Sequence, residues 1–178
     1  MRETASVPQL PLAMMPGCFD APVVPVGDSG IGGEAKLCVT DDAVRPALRV
    51  ANLTPDTAYL ALFEYFEQPS ACRSFPCGSA DLRADGSGGV HARIDATVAN
   101  GTRRADFWGD FRDLPLTRRS QVTLTLFDRG SVHGSDGRPR AHLLLTLPIT
   151  PSDGLPNDHG AGQRVAQAIF LPMTEDVP

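Results

Sequence analysis

Residues 90–111 read VHARIDATVANGTRRADFWGDF, two alternating runs that meet at Asn100-Gly101. Apolar and polar side chains exchange every second residue on both sides of that dipeptide, which is the period of a strand with one covered face. Asn-Gly tolerates positive φ at both centres of a two-residue type I′ turn. The spacing therefore predicts a β-hairpin with Ile94 opposite Phe107 and Ala96 opposite Ala105 on one apolar face. The same register sets His91 by Asp110, Arg93 by Trp108 and Asp95 by Asp106 on the other.

Strands continue in both directions from this point. Upstream, Ala35–Thr40 and Ala47–Asn52 alternate with Leu37, Val39, Leu48 and Val50 on one side. The run Thr57–Glu67 carries Tyr59, Leu60, Leu62, Phe63, Tyr65 and Phe66 in near-continuous order, so both its faces should be covered and it should be central. Downstream, Gln121–Phe127, Ala141–Leu147 and Arg164–Leu171 read as strands, with Pro148–Gln163 as a long surface loop. No stretch has a sustained helical period. The expected fold is all-β, a two-sheet antiparallel sandwich of immunoglobulin-like or superoxide-dismutase-like form.

Composition agrees with one such domain. The chain has 178 residues, 42% hydrophobic and 21% charged, with 17 Gly and 16 Pro marking many turns. A formal net charge of −5 argues against nucleic acid as the partner, because phosphate binding requires a basic face. No run of about eighteen apolar residues offers a transmembrane segment. Residues 1–33 hold Pro8, Pro11, Pro16, Pro22 and Pro25 and end in Gly27, Gly30, Gly32 and Gly33, which predicts an extended N-terminal arm before a sandwich at residues 34–178. Leu10, Leu12, Met14, Met15, Phe19, Val23 and Val24 on that arm need a surface to lie on, either the sandwich or a partner chain. Arg2, Glu3 and three prolines within Met1–Pro16 do not make a cleavable signal peptide.

Four cysteines permit three pairings. Cys72 and Cys77 bracket a short loop and form the expected disulfide in an oxidising compartment, while the state of Cys18 and Cys38 stays open. In a reducing cytoplasm all four would be thiols.

Candidate chemistry is sparse. Two facing carboxylates on a hairpin repel by about 0.2–1 kcal/mol unless a cation lies between them, so His91, Asp95, Asp106 and Asp110 form a candidate metal site. Arg93 and Arg104, on the same strands, offer plain neutralisation instead. His133, His142 and His159, near Asp128, Asp136, Asp153 and Asp158, are further metal or ligand candidates at one end of the sandwich. Gly27-Asp28-Ser29-Gly30 matches the tetrapeptide around a trypsin-like nucleophile, but no histidine precedes it to act as base. No catalytic residue and no cofactor is expected.

The stretch Asn52-Leu53-Thr54-Pro55-Asp56-Thr57-Ala58-Tyr59, the loop Gln68–Gly78 and the ending Val165–Pro172 resemble a group of secreted bacterial β-sandwich proteins, loosely similar to chordin-type and copper–zinc superoxide dismutase sandwiches. The likeness spans roughly residues 35–172. It implies the sandwich fold and an extracytoplasmic location, periplasmic or extracellular, whereas the missing signal peptide favours the cytoplasm. It does not carry over copper chemistry, because Tyr59–Glu64 has no histidine where the dismutase-like relatives bind the metal. The expected function is that of a non-catalytic accessory or structural subunit. It would contact another protein chain or a second copy through its arm, in a larger, membrane-associated assembly. The alternative is a metal- or small-ligand-binding sandwich that uses its His- and Asp-rich end loops.

Overall fold

The computed structural model describes residues 17–40, 42–66, 72, 76–77, 90–112, 120–133 and 162–171. The elements are β1 (Gly17–Pro25), β2 (Gly32–Val39), β3 (Ala43–Ala51), β4 (Thr57–Phe66), β5 (Val90–Val98), β6 (Arg104–Trp108), β7 (Phe111–Arg112), β8 (Gln121–Ser131) and β9 (Gln163–Phe170). There is no helix among the described residues. The expected strands at 35–40, 47–52, 57–67, 90–99, 121–127 and 164–171 all appear, shifted by a few residues. The strand and loop expected over 141–163 lie almost wholly outside the described residues.

All pairings are antiparallel and follow one path, β5-β4-β8-β9-β1-β2-β3-β6, with β7 also on β3. The sheet curls until it nearly closes. β1 joins its two halves, pairing β2 over Gly17–Val23 and β9 only at Val24↔Gln167 and Pro25↔Ala166. The segment 17–25, read from its prolines as part of an arm, is thus a paired strand whose Val23 lies in the core.

Alternation places the core as expected. Leu37, Val39, Leu48 and Val50 join Tyr59, Phe63, Phe107 and Leu124 in one buried cluster. All ten residues of β4 are buried, the central position its composition called for. Its odd-numbered positions from Tyr59 to Tyr65 face the main core. Leu60 and Leu62 pack with Phe127 and Ala96 in a second cluster, and Phe66 packs with Cys77 and Cys72 in a third.

The hairpin at Asn100-Gly101 is corrected. β5 pairs with β4 and β6 with β3, so these consecutive strands stand at the two ends of the sheet path. The Arg103 N–H donates to the Asn100 carbonyl, and the Asn100 side chain accepts the Thr102 N–H at 2.9 Å, closing a four-residue turn. Positive φ falls on Arg103, at 60°, rather than on Asn100 and Gly101, so the type I′ geometry is not adopted. The local pattern named the faces of the strands but not their partners. Ile94, Ala105 and Phe107 do share the main core. A bulge at Ala61/Leu62, where β5 supplies the extra residue Ile94, sends Ala96 to the second cluster instead.

Crossovers between the halves are held by specific contacts. Leu53, fully buried, plugs the β3–β4 connection, and the Thr54 N–H donates to the Tyr59 hydroxyl at 2.9 Å. Ser29 sits in the β1–β2 connection, where its hydroxyl donates to the Val165 carbonyl at 2.6 Å and accepts the Ile31 N–H. The protease-like tetrapeptide therefore contributes a structural tie between β9 and the β1–β2 turn.

Candidate contact surfaces

β1 and β9 part just beyond Val24↔Gln167. Val23 and Ala168, both buried, mark the apex of the split. From there Pro22, Ala21 and Phe19 on one strand diverge from Ile169, Phe170 and Leu171 on the other. Between them opens a cavity of about 320 Å³ with Leu37 and Val122 on its floor. Proline has no N–H to give a ladder, and Pro22, two residues beyond the last Val24↔Gln167 position, therefore limits how far β1 can zip onto β9. Among the described strands, the β9-facing edge of Gly17–Val23 and the β1-facing edge of Ala168–Phe170 are unpaired. The lining is mostly apolar and includes Leu171, 51% exposed, while Val24, 44% exposed, lies just past the apex. Unpaired backbone flanking an apolar cleft is the geometry that receives an added strand.

A second surface is the outer face of β1-β2-β3-β6. Cross-strand register lays out the row Asp20–Lys36–Ala47–Trp108 and, beside it, Pro22–Glu34–Arg49–Asp106. Lys36 Nζ meets Asp20 at 3.0 Å and Arg49 Nε meets Asp106 at 3.3 Å. Trp108 is 69% exposed. The Cys18–Cys38 disulfide joins directly opposed residues of β1 and β2, closing the pair that the sequence left open. The Cys72–Cys77 bridge is present as expected.

Among the described residues, the sequence-derived metal candidates are not gathered. Asp95 stands by Ala61 and Asp106 by Arg49, on strands at opposite ends of the path. Asp110 binds Arg45 at 3.6 Å and Arg112 at 3.3 Å. His91 is in register with Glu64 on β4, not beside Asp110. The separation follows directly from the hairpin that does not form. His133 is exposed just past β8. His142 and His159 lie outside the described residues, as do Leu10, Leu12, Met14 and Met15 of the arm. Phe19 lines the β1–β9 cavity and Val23 its apex.

Glu64 went unnoticed in the sequence, hidden in the apolar run of β4. It is buried, Thr125 Oγ1 donates to its Oε1 at 3.1 Å, and Oε2 has no hydrogen-bond partner among the described residues. Burial pushes its pKa up to about 7, against the opposing pull of the Arg164 charge and the Thr125 hydrogen bond. It lines neither cavity. A neighbouring buried amide is fully used: Gln121 accepts the Cys77 N–H at 2.8 Å and donates to the Cys77 carbonyl and to Thr123. This clamp fixes the disulfide loop to β8.

Compared with protein-family models, curated proteins and solved structures, the chain matches none.

Proposed function

We propose that the chain is a non-catalytic β-sandwich domain, an accessory or structural subunit that acts by contact with another polypeptide. The contact site is the split between β1 and β9, which receives an extended segment of the partner as an added strand. The observation that carries this reading is the early end of the β1–β9 ladder at Val24↔Gln167, with the apolar cavity of Phe19, Ile169, Phe170 and Leu171 directly beyond it. Backbone groups on both edges supply hydrogen bonds, and the cavity selects alternate apolar side chains.

The assembly is extracytoplasmic on this reading. Two disulfides support it, since such bonds persist in oxidising compartments. No helix among the described residues is long and apolar enough to cross a membrane.

The test is co-purification from the native source with wild type and with a variant carrying Ile169→Glu and Leu171→Glu. A partner identified with wild type and lost with the variant is the expected result. An identified partner retained equally by both contradicts the assignment of the split.

A further inference from the structure

Trp108 is the chain's sole tryptophan, and it is held on a strand rather than a loop. Ala47 opposite it offers only a methyl group, so among the described residues no bulky cross-strand neighbour shields the ring. The other exposed large apolar residues among those described, Val24 and Leu171, are both at the β1–β9 split. Trp108 therefore stands alone as an apolar plate on a polar face. That is a poor match to a protein hot spot, which needs a broad, dry surround.

Around the plate lies a groove of about 380 Å³, lined by Asp20, Glu34, Lys36, Arg49, Asp106 and Trp108. Three carboxylates against two cations leave one net negative charge, which repels a polyanion and suits a neutral ligand. The Lys36–Asp20 and Arg49–Asp106 pairs are solvent-exposed, and such pairs add little to stability. Arg49 and Asp106 put a donor and an acceptor in the row next to the indole, and Lys36 and Asp20 put a second pair farther across the face.

We propose that this groove binds a neutral glycan, with one pyranose ring stacked on Trp108. A pyranose has an apolar C–H face and a rim of hydroxyls. The face covers the indole, and the rim reaches Asp106 and the guanidinium of Arg49 in the adjoining row, each of which can bond two hydroxyls, while further sugar units extend across the strands to Glu34, Lys36 and Asp20. The volume falls in the range of small-ligand sites and accommodates a short oligosaccharide. This site is separate from the strand-addition split, although Asp20 borders both.

Because Trp108 is the sole tryptophan, its emission reports on the groove directly. Full-length protein is titrated with a panel of neutral oligosaccharides built from glucose, mannose, galactose and N-acetylglucosamine, and separately with a sulfated polysaccharide. Saturable change in emission with at least one neutral sugar is expected, unaffected by about 1 M salt, at which charge interactions are screened. Trp108→Ala, followed by calorimetry, should weaken that sugar about tenfold or more, equivalent to roughly 1.4 kcal/mol. Circular dichroism of this variant should match wild type, because the side chain is exposed. No response across the neutral panel, a response to the sulfated polymer alone, or undiminished sugar binding by Trp108→Ala overturns the proposal. So does an emission change produced only by a protein partner.

Discussion

Val24 of β1 pairs with Gln167 of β9, and Val23 and Ala168, the next residues toward the opening, are buried side by side without continuing the ladder. Among the described strands, one residue thus separates a paired wall from an unpaired seam. On the proposed reading, the segment that mates with this seam is extended and apolar at alternate positions, like the strands flanking it.

Leu171→Glu places a charge where the native side chain is half exposed. Stability should change by no more than about 0.5 kcal/mol, the usual range for surface sites. Partner affinity should fall about tenfold or more, from loss of an apolar contact and burial of a charge. Denaturant midpoints and a binding titration on the same samples separate the two effects.

Glu64 makes folding stability depend on pH. Its folded pKa of about 7 lies above the unfolded value of 4.5, so the folded state holds its proton more tightly. Stability from this group is greatest at and below about pH 4.5, declines as pH rises through 4.5 to 7, and stays low above that. The difference of about 2.5 units corresponds to about 3 kcal/mol. Glu64→Gln should remove this decline, so that its denaturant midpoints at pH 4.5 and pH 7.5 lie closer together than those of wild type.

The two disulfides should differ in weight. Cys18–Cys38 closes a separation of 20 residues and Cys72–Cys77 one of 5. On the chain-entropy account, replacing the first pair by serine costs about 3 kcal/mol and the second about 2 kcal/mol. Urea unfolding of the two double-serine variants measures the order.

Gly33 and Gly101 give opposite expectations. At Gly33 φ is +155°, and a Cβ would run into the Arg49 carbonyl on β3, so Gly33→Ala should cost about 3 kcal/mol. Gly101 has no positive φ and open space beside it, so Gly101→Ala should be neutral or stabilise by up to about 1 kcal/mol. A type I′ hairpin would have made the second substitution costly, and thermal unfolding of both variants decides the point.

Side-chain period made the strands and their inner faces legible, since burial of every second residue is written locally. Leu37, Leu48 and Phe107 could be assigned inward without knowing any partner. Pairing is not local: Asn100-Gly101 suggested closing β5 onto β6, but a four-residue turn and the longer β3 and β4 ladders took those edges instead. That single difference separated Asp95 from Asp106. β1 was masked by its prolines, which a strand tolerates at an edge or seam. Trp108 read only as a polar-face residue beside Arg93, and its exposure depends on Ala47, 61 positions earlier in the chain. Glu64 was concealed because one acid in ten strand residues does not disturb a hydrophobic pattern.

Amide hydrogen exchange of the full chain, free and with its co-purified partner, tests the strand-addition claim most directly. The account predicts that Gly17–Val23 and Ala168–Leu171 exchange more slowly in the complex, about tenfold or more, as their free edges acquire hydrogen bonds. Unchanged exchange in both segments, with new protection elsewhere, would contradict it.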